Sequence, residues 1–328
     1  MTPTAPPRGG LLARLRRLRQ EALGMNRRNL VFLVPHNPRR LFAVVDHKPT
    51  AKRALAAAGI PTPATYAEIA LQWDLRHLVR MLGAHTEFVV KPARGAGGGG
   101  VLVIVGRAPA GFVRASGALL SLRDLASHCA DILAGAFSLG GRADEVLLEA
   151  RVHPDAVLGA VSFRGVPDVR VLVFRGVPIQ AMIRLPTRAS DGRANLHMGG
   201  LAVGIDLATG TTVHGWLRGR ATATHPDLGR SVLGLAVPEW DTVLALAARC
   251  YDAVPLGYLG VDVVLDAESG PLVLELNARP GLTIQLANRR GLRPVMEALA
   301  SRDLAQLTLT ERVRLGQELA GSARCRLP

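Results

Sequence analysis

A glycine-rich loop between two apolar runs constrains the fold of this chain more than any other stretch. In FVVKPARGAGGGGVLVI, residues 88–104, Lys91 comes before the glycines, and the β-branched and aliphatic run 101–105 begins directly after them. A dinucleotide-binding loop must be followed by a helix, and a Walker loop carries its lysine at its far end. We therefore predict a β-hairpin whose glycine tip folds over phosphates, with Lys91 beneath it. A plain glycine-rich surface turn is the alternative.

Length and composition limit the protein class. The 328 residues suffice for one large or two to three small domains. No apolar run approaches the roughly 18 residues that a membrane span needs, and no apolar segment follows the arginines of the N-terminus as a secretory signal requires. Cys129, Cys250 and Cys325 have no paired spacing, which argues against zinc sites and disulfides. This cysteine usage favours a reducing, cytoplasmic setting.

The net charge of +14 raises the question of a nucleic-acid partner, because basic residues neutralise phosphates. Of the 40 basic residues only three are lysines, and the 37 arginines are scattered through every segment rather than clustered. Aromatic residues make up 4% of the chain, which is few for stacking bases. A nucleic-acid partner is therefore not expected. A lysine kept in so arginine-rich a chain instead indicates a site where a planar guanidinium would not serve.

The predicted elements divide the chain into four segments. They are a basic arm and connector (1–45), a helical segment leading into the body (46–84), a small α+β lobe with the glycine loop (85–150) and a larger lobe (151–328). The small lobe should contain a helix at LRDLASHCADIL and end in a strand within 145–152. The larger lobe should contain an antiparallel sheet, a helix at EWDTVLALAARCYDAV and a last hairpin at GYLGVDVVLDAESGPLVLELNARPG.

The basic arm contains Leu11, Leu15, Leu18 and Ala22 at helical spacing, with arginines between them. We predict an amphipathic helix that packs on the body of the protein or on a partner subunit. Contact of residues 8–24 with an anionic membrane surface is the less favoured alternative.

Lys48 should lie in the first turn of a helix that Asp46 caps and Gly59 ends. A cation in a first turn opposes the helix dipole, so this lysine suits a bound anion better than it suits the helix.

Two carboxylates face each other in the last hairpin. If Leu265 pairs with Leu272, Asp262 lies opposite Glu275, and Asn277 joins them on the same face. Like charges across a strand pair destabilise it, and a divalent cation would offset that repulsion. Oxygen ligands of this kind suit Mg²⁺ or Mn²⁺. Alternatively, one carboxylate caps a turn and the other pairs with an arginine such as Arg279.

Taken in order, these motifs resemble the ATP-grasp superfamily, and within it the α-L-glutamate ligase type that adds glutamate to a ribosomal protein. The resemblance covers roughly residues 46–288 and includes the loop RLPTRASDGRANLHMGG. It implies an α+β ATP-grasp fold in which ATP lies between two α+β lobes, here preceded by a short basic helical arm. The stretch between Glu149 and Asp168 is longer than in the ribosomal-protein ligases, and their leading α/β domain is replaced by the arm. For these two reasons the resemblance does not identify the substrate of this chain.

The resemblance also implies roles for individual residues. Lys48 and Lys91 would bind the ATP phosphates beneath a flap that contains Gly95, Gly97 and Gly98. Adenine would be held by backbone groups of Glu149 and Ala150, and Asp168 would be the acidic residue on the nucleotide. Arg193 and Asn195 would lie near the phosphates and the acyl group. The metal ligands would be Asp262, Glu275 and Asn277.

Arg279 follows these ligands at a position where the ribosomal-protein ligases have a small residue. Its guanidinium would lie beside the acyl phosphate and pair with a substrate carboxylate. A salt bridge with Glu275 or Asp262 is the other interpretation.

The implied function is an ATP- and Mg²⁺-dependent ligase that joins a small-molecule or peptide carboxylate, such as that of glutamate, to an amine through an acyl phosphate. Two alternatives remain. The fold could serve as a nucleotide-binding or phosphotransfer module without amide formation, or the charge could indicate a basic surface-binding protein. Oligomerisation is open.

Overall fold

The fold is seen in a computed structural model that describes residues 19–95, 97–138 and 140–322. Two antiparallel sheets organise it. In chain order the strands are β1 (Thr65–Ile69), β2 (Phe88–Pro92), β3 (Leu102–Ala108), β4 (Gly111–Arg114), β5 (Leu119–Leu120), β6 (Val146–Glu149), β7 (Asp168–Phe174), β8 (Val177–Leu185), β9 (Leu201–Ile205), β10 (Thr212–Leu217), β11 (Arg220–Thr222), β12 (Tyr258–Asp266) and β13 (Gly270–Asn277).

Short and long helices surround the sheets. The α-helices are α1 (Met25–Arg27), α2 (Val34–His36), α3 (Phe42–Val45), α4 (Lys48–Ala57), α5 (Leu78–Leu82), α6 (Leu122–Leu133), α7 (Ala156–Gly159), α8 (Trp240–Ala253), α9 (Ile284–Ala287), α10 (Arg293–Ala300) and α11 (Leu309–Ser322). A π-helical stretch, Arg28–Leu33, joins α1 to α2, and 3-10 turns lie at Arg39–Leu41, Gln72–His77 and Leu196–Met198. Within the described part of the chain, no helix is long and apolar enough to cross a membrane.

The small sheet has six strands in the order β1-β6-β2-β3-β4-β5. Its strands β2 and β3 pair around the glycine loop, with Phe88 opposite Ile104 and Val90 opposite Leu102, so the predicted hairpin is confirmed. Strand β1 comes from the segment 46–84 and pairs with β6, which adds that part of the segment to the small lobe.

Helix α6 covers the same twelve residues that the sequence predicted. It begins at Leu122 because Ser121 and Asp124 form a capping box, in which each side chain accepts from the backbone N–H of the other. Its apolar face, with Leu125 and Ile132, is buried in the core of the small lobe.

Helix α4 begins at Lys48, but the predicted cap at Asp46 is wrong. Asp46 ends α3 with helical backbone angles, whereas an N-cap residue needs an extended backbone, and His47 has one. Gly59 ends the helix as predicted, since its φ is +64° and its N–H donates to Ala56. The helix packs on the large lobe, where Leu55 joins the main core.

The large sheet has seven strands in the order β11-β10-β9-β8-β7-β12-β13. Helix α8, predicted at residues 239–254, buries Val243, Leu244 and Ala247 against this sheet. The predicted hairpin of β12 and β13 forms with Asp262 opposite Glu275, yet Leu265 pairs with Pro271 rather than with Leu272. The expected Leu265 pairing was wrong because a bulge follows the Asp262 position and shifts the register by one residue.

The N-terminal arm is described only in part. The predicted helical positions Leu11, Leu15 and Leu18 lie outside the described residues, as does Cys325. Residues 19–21 are helical, and Leu23 is buried in a second core beneath the large sheet.

Gly316 on α11 leads to a stability prediction. A Cβ atom there would lie 2.1 Å from the carbonyl oxygen of Pro178, whereas a Cβ at Gly321 on the same helix would meet nothing within 4 Å. Alanine favours a helix over glycine by about 1 kcal/mol, so Gly321→Ala should raise the melting temperature slightly. Gly316→Ala should lower the free energy of unfolding by roughly 1–3 kcal/mol, because α11 must move away from β8. Thermal unfolding of both variants checks this, and a stabilised Gly316→Ala would contradict the packing.

Candidate nucleotide-binding cleft

A cleft of about 1500 Å³ lies between the two sheets. Both lobes contribute to its wall, and the wall includes every site residue predicted from the sequence. These are Lys48, Lys91, Gly95, Gly97, Gly98, Glu149, Ala150, Asp168, Arg193, Asn195, Asp262, Glu275, Asn277 and Arg279. Residues separated by more than 200 positions are thus brought to one surface, although their individual roles stay predictions.

Glu149 organises the cations of the small lobe. Its carboxylate is buried at the end of β6, where it pairs with Lys91 through one oxygen and with Lys52 at 3.0 Å through the other. Burial alone would raise the pKa of Glu149, but the two ammonium groups hold it below its ordinary value. Lys52 also donates to the carbonyl oxygen of Pro63 at 2.6 Å. One carboxylate therefore fixes Lys91 in the cleft wall and Lys52 behind it.

Lys48 lies where α4 meets the end of β2. Its backbone N–H donates to Ala93, and its Nζ donates to the carbonyls of Pro92 at 3.2 Å and Gly95 at 2.7 Å. Burial lowers the pKa of Lys48, while the negative charge of Glu275 acts to raise it. A buried ammonium held by carbonyl dipoles suits an anionic ligand in the cleft.

The flap, predicted over residues 94–100, is anchored at both ends of its described part. At its start, the N–H of Arg94 donates to both oxygens of Asp144 at 3.0 Å. At its end, the Nε2 of His128 on α6 lies 2.9 Å from the carbonyl oxygen of Gly100. Between these anchors, Asn195 of the large lobe donates from its Nδ2 to the Gly97 carbonyl at 2.9 Å. The flap thus rests in a closed position over the cleft.

The flap needs its glycines for conformation and for space. Gly97 and Gly98 have φ values of +66° and +81°, which strain any other residue. A Cβ at Gly98 would also lie 3.3 Å from the Cδ of Arg193, and a Cβ at Gly97 would lie 3.0 Å from Asn195. The predicted Arg193 and Asn195 therefore contact the tip of the flap directly.

A row of charges crosses the large sheet at the floor of the cleft. Arg184 of β8 pairs with Asp168 of β7 through both oxygens at 2.6 and 2.7 Å. Asp262 of β12 accepts from Arg170 of β7 at 2.7 and 2.6 Å, and from Arg184 at 2.6 Å. Burial raises the pKa of Asp168 to about 6. Burial also acts to raise the pKa of Asp262, but Arg170 and Arg184 hold it below its ordinary value.

Among the predicted metal ligands, Glu275 and Asn277 differ from Asp262. No residue within 19–95, 97–138 and 140–322 forms a hydrogen bond or ion pair with the Glu275 carboxylate, and Asn277 accepts only from the N–H of Arg279 at 2.9 Å. Asp262 is buried and accepts three N–H groups. In that same part of the chain, no three His, Cys, Asp or Glu side chains group as a metal site. Glu275 and Asn277 fit an oxygen-liganded cation, while Asp262 would have to exchange a guanidinium for it.

Arg279 forms neither of the salt bridges considered from the sequence. Its guanidinium lies 4.4 Å from the ring centroid of Phe42, and it makes no ion pair with Glu275 or Asp262. The alternative that Arg279 orients a metal ligand through a salt bridge is therefore wrong for this arrangement. Arg170 and Arg184 are the partners of Asp262 instead.

Sequence reasoning missed three members of the site. Lys52 lies four residues after Lys48 on the same helix, and the scarcity of lysine would have identified it had the argument been applied to all three lysines. Arg170 and Arg184 gave no such signal, because they are two among 37 arginines.

Cys129 and Cys250 are buried, and burial raises the pKa of each thiol to about 12.

Comparison with known proteins establishes the family. The sequence model of the family described as sugar-transfer associated ATP-grasp matches residues 27–301. The chain belongs to this ATP-grasp family. Its two α+β lobes around one cleft are the fold that the resemblance implied, and the family match begins earlier in the chain than the resemblance did.

Individual relatives share only part of their sequence with this ATP-grasp chain. A probable α-L-glutamate ligase of Sodalis glossinidius (strain morsitans) is 31% identical over 180 residues, which are 50% of this chain and 45% of the relative. The match thus spans less than half of that relative. Among solved structures, D-cycloserine synthetase DcsG has a TM-score of 0.48 at 20% identity, over 81% of this chain and 73% of its own. D-alanine–D-alanine ligase from Bacillus anthracis, complexed with ATP, has a TM-score of 0.42 at 16% identity, over 85% and 66%.

The two facing carboxylates of this ATP-grasp site should respond differently to neutralisation. Asp262→Asn removes the carboxylate that pairs with the buried Arg170, and one of the two that pair with Arg184, so the free energy of unfolding should fall by about 3–5 kcal/mol. Glu275→Gln removes a carboxylate with no described partner and relieves its repulsion from Asp262, so stability should stay unchanged or rise slightly. Chemical denaturation in metal-free buffer compares the two. Equal losses in both variants would contradict the charge row.

Proposed function

We propose that this chain is an ATP- and Mg²⁺-dependent ligase that joins a carboxylate to an amine. The observation that carries the proposal is that Lys48 and Lys91 line one cleft together with Glu275, Asn277 and Arg193, while Asn195 holds the tip of the flap across it. Family membership supports the use of ATP in this cleft. The curated relative named as a probable α-L-glutamate ligase supports amide formation with an amino acid such as glutamate.

The first step activates the acid. A carboxylate oxygen of the substrate attacks the γ-phosphorus of ATP, the bond to the bridging oxygen breaks, and ADP leaves with that electron pair to give an acyl phosphate. Lys91 and Lys48 would lie against the phosphates, and Arg193 at the flap tip would face the transferring group. Their contribution is alignment and cancellation of charge, with little covalent work for the protein.

The second step forms the amide. The nitrogen of the amine attacks the acyl carbon, a proton leaves the nitrogen, and phosphate departs from the carbon. Asn195 supports this step indirectly, because its bond to Gly97 holds the flap over the acyl phosphate and excludes water that would hydrolyse it. A closed flap also keeps the cations close to the reacting groups.

The divalent cation would be held by Glu275 and Asn277, with phosphate oxygens and water completing its shell. When bound, it supplies positive charge that offsets the charge of the phosphates. Asp262 would join as a ligand only if Arg170 or Arg184 released it. Its contacts otherwise assign it to holding both guanidinium groups at the floor of the cleft.

The acid substrate would be recognised by arginines that have no carboxylate partner. Arg164, Arg193 and Arg279 line the cleft, and none of them forms an ion pair with a residue described by the structure. Arg164 lies in the loop between α7 and β7, shortly before Asp168 of the large sheet's charge row. Unpaired guanidinium groups favour a carboxylate-bearing substrate.

An ATP-dependent phosphate-release screen over pairs of amino acids and short peptides tests the ligase. Release that requires both an acid and an amine, together with a new amide detected by mass spectrometry, is the expected result. Lys48→Ala should abolish it. Release with the acid alone, even at high amine concentration, would favour a phosphotransfer module, and no release with any pair would favour nucleotide binding without chemistry.

Arg279 provides a test of substrate recognition. If its guanidinium pairs with the acid substrate, Arg279→Ala should raise the KM for the acid roughly tenfold or more while the KM for ATP and the Mg²⁺ requirement stay unchanged. Arg302→Ala is a matched control, because Arg302 is an exposed arginine outside the cleft. A changed Mg²⁺ requirement, or equal effects in both variants, would argue against a substrate contact.

A further inference from the structure

The helical segment 25–36 has an unusual distribution of apolar side chains. Phe32 and Leu33 are buried on its inner side, in the core beneath the large sheet. On its outer side, Met25, Leu30 and Val34 are 65%, 72% and 64% exposed. A surface helix normally presents polar residues to solvent, so the segment is apolar on both sides.

The exposed residues form one continuous strip because of the π-helical stretch. Within it, hydrogen bonds join residues five positions apart, as from the N–H of Val34 to Asn29. Met25 and Leu30 are five positions apart, Leu30 and Val34 are four apart, and Val31 lies beside them. We call these four residues the apolar strip. Contiguous exposed apolar surface of this kind marks an interaction site.

Cations flank the apolar strip on both sides in the sequence. Arg39 and Arg40 follow it, are exposed, and form no ion pair with any residue in 19–95, 97–138 or 140–322. Arg27, within the segment, is paired with Glu297. Before the segment the sequence carries five further arginines, at positions 8, 14, 16, 17 and 19. The sequence on both sides of the strip is therefore strongly basic.

We propose that the apolar strip inserts into the surface of an anionic lipid membrane while Arg39 and Arg40 contact the headgroups. Aliphatic residues at the headgroup boundary and neighbouring cations supply the two attractions that hold a helix in a membrane interface. A second copy of the chain is a poorer partner. A two-fold contact would set the same arginines against each other in a protein of net charge +14.

The proposal places the membrane contact further along the chain than residues 8–24, where the sequence had suggested it. The segment lies on the large lobe, since Arg28 donates to the Pro280 carbonyl at 2.9 Å and Asn37 donates to the Tyr258 carbonyl at 2.8 Å. Pro280 follows the end of β13, which carries Glu275 and Asn277. The membrane would thus hold the large lobe.

Vesicle sedimentation with the full-length chain tests the proposal. The chain should bind vesicles of equal parts phosphatidylglycerol and phosphatidylcholine, should not bind vesicles of phosphatidylcholine alone, and should be released as salt is raised. The double variant Leu30→Ser with Val34→Ser should bind the anionic vesicles roughly tenfold more weakly. Arg39→Gln with Arg40→Gln should also bind more weakly at low salt.

The matched control is Leu71→Ser with Leu119→Ser, two residues that are each 63% exposed elsewhere on the protein. It should bind vesicles like the parent chain, and circular dichroism should show all variants folded. Equal loss in the control, unchanged binding in the Leu30 and Val34 variant, or equal binding to neutral vesicles would overturn the proposal. Light scattering gives a further outcome that would overturn the proposal. In that outcome the parent chain is a dimer, the Leu30 and Val34 variant is a monomer, and the variant still binds vesicles.

Discussion

The cleft depends on a row of charges buried across four neighbouring strands. Arg184 and Asp168 face each other on β8 and β7, Arg170 and Asp262 on β7 and β12, and Glu275 follows on β13. A sheet that is otherwise apolar gains no evident stability from such a row, since removing charges from water is costly. The row does specify register, because a slip by one residue would turn every charged side chain to the opposite face. Correct pairing of these strands is thus also what completes the floor of the cleft.

In the small lobe, a single carboxylate holds the neighbouring cations in place. Glu149 holds Lys91 and Lys52, and the flap that continues from β2 is fixed by contacts to α6 and to the segment before β6. At the flap tip, as far as the structure describes it, the hydrogen bond from Asn195 to Gly97 joins the two lobes. That contact involves neither charge cluster, so breaking it would leave both clusters intact.

Much of the fold could be predicted from the sequence because local patterns determine it. The glycine loop between two β-branched runs predicted a hairpin, and a helix was predicted around the residues that form α6. The bulge in β13 could not be predicted, because one extra residue leaves the alternation of apolar positions readable on both sides of it. The cleft could be assembled from scarce residue types, namely lysines and facing carboxylates. The arginines that neutralise Asp262 could not be chosen, since only the strand order brings Arg170 and Arg184 beside it.

The replacement of lysine by arginine throughout this chain has a chemical consequence. The three lysines, Lys48, Lys52 and Lys91, all belong to the network around the flap and Glu149. Guanidinium groups do not react with reagents selective for amines, and the burial that lowers the pKa of Lys48 and Lys52 leaves more of each side chain as free amine. Apart from the N-terminus, acylation of this protein would therefore be confined to these three side chains. The extent at Lys48 and Lys91, which line the cleft, followed by mass spectrometry, would report whether the cleft is filled.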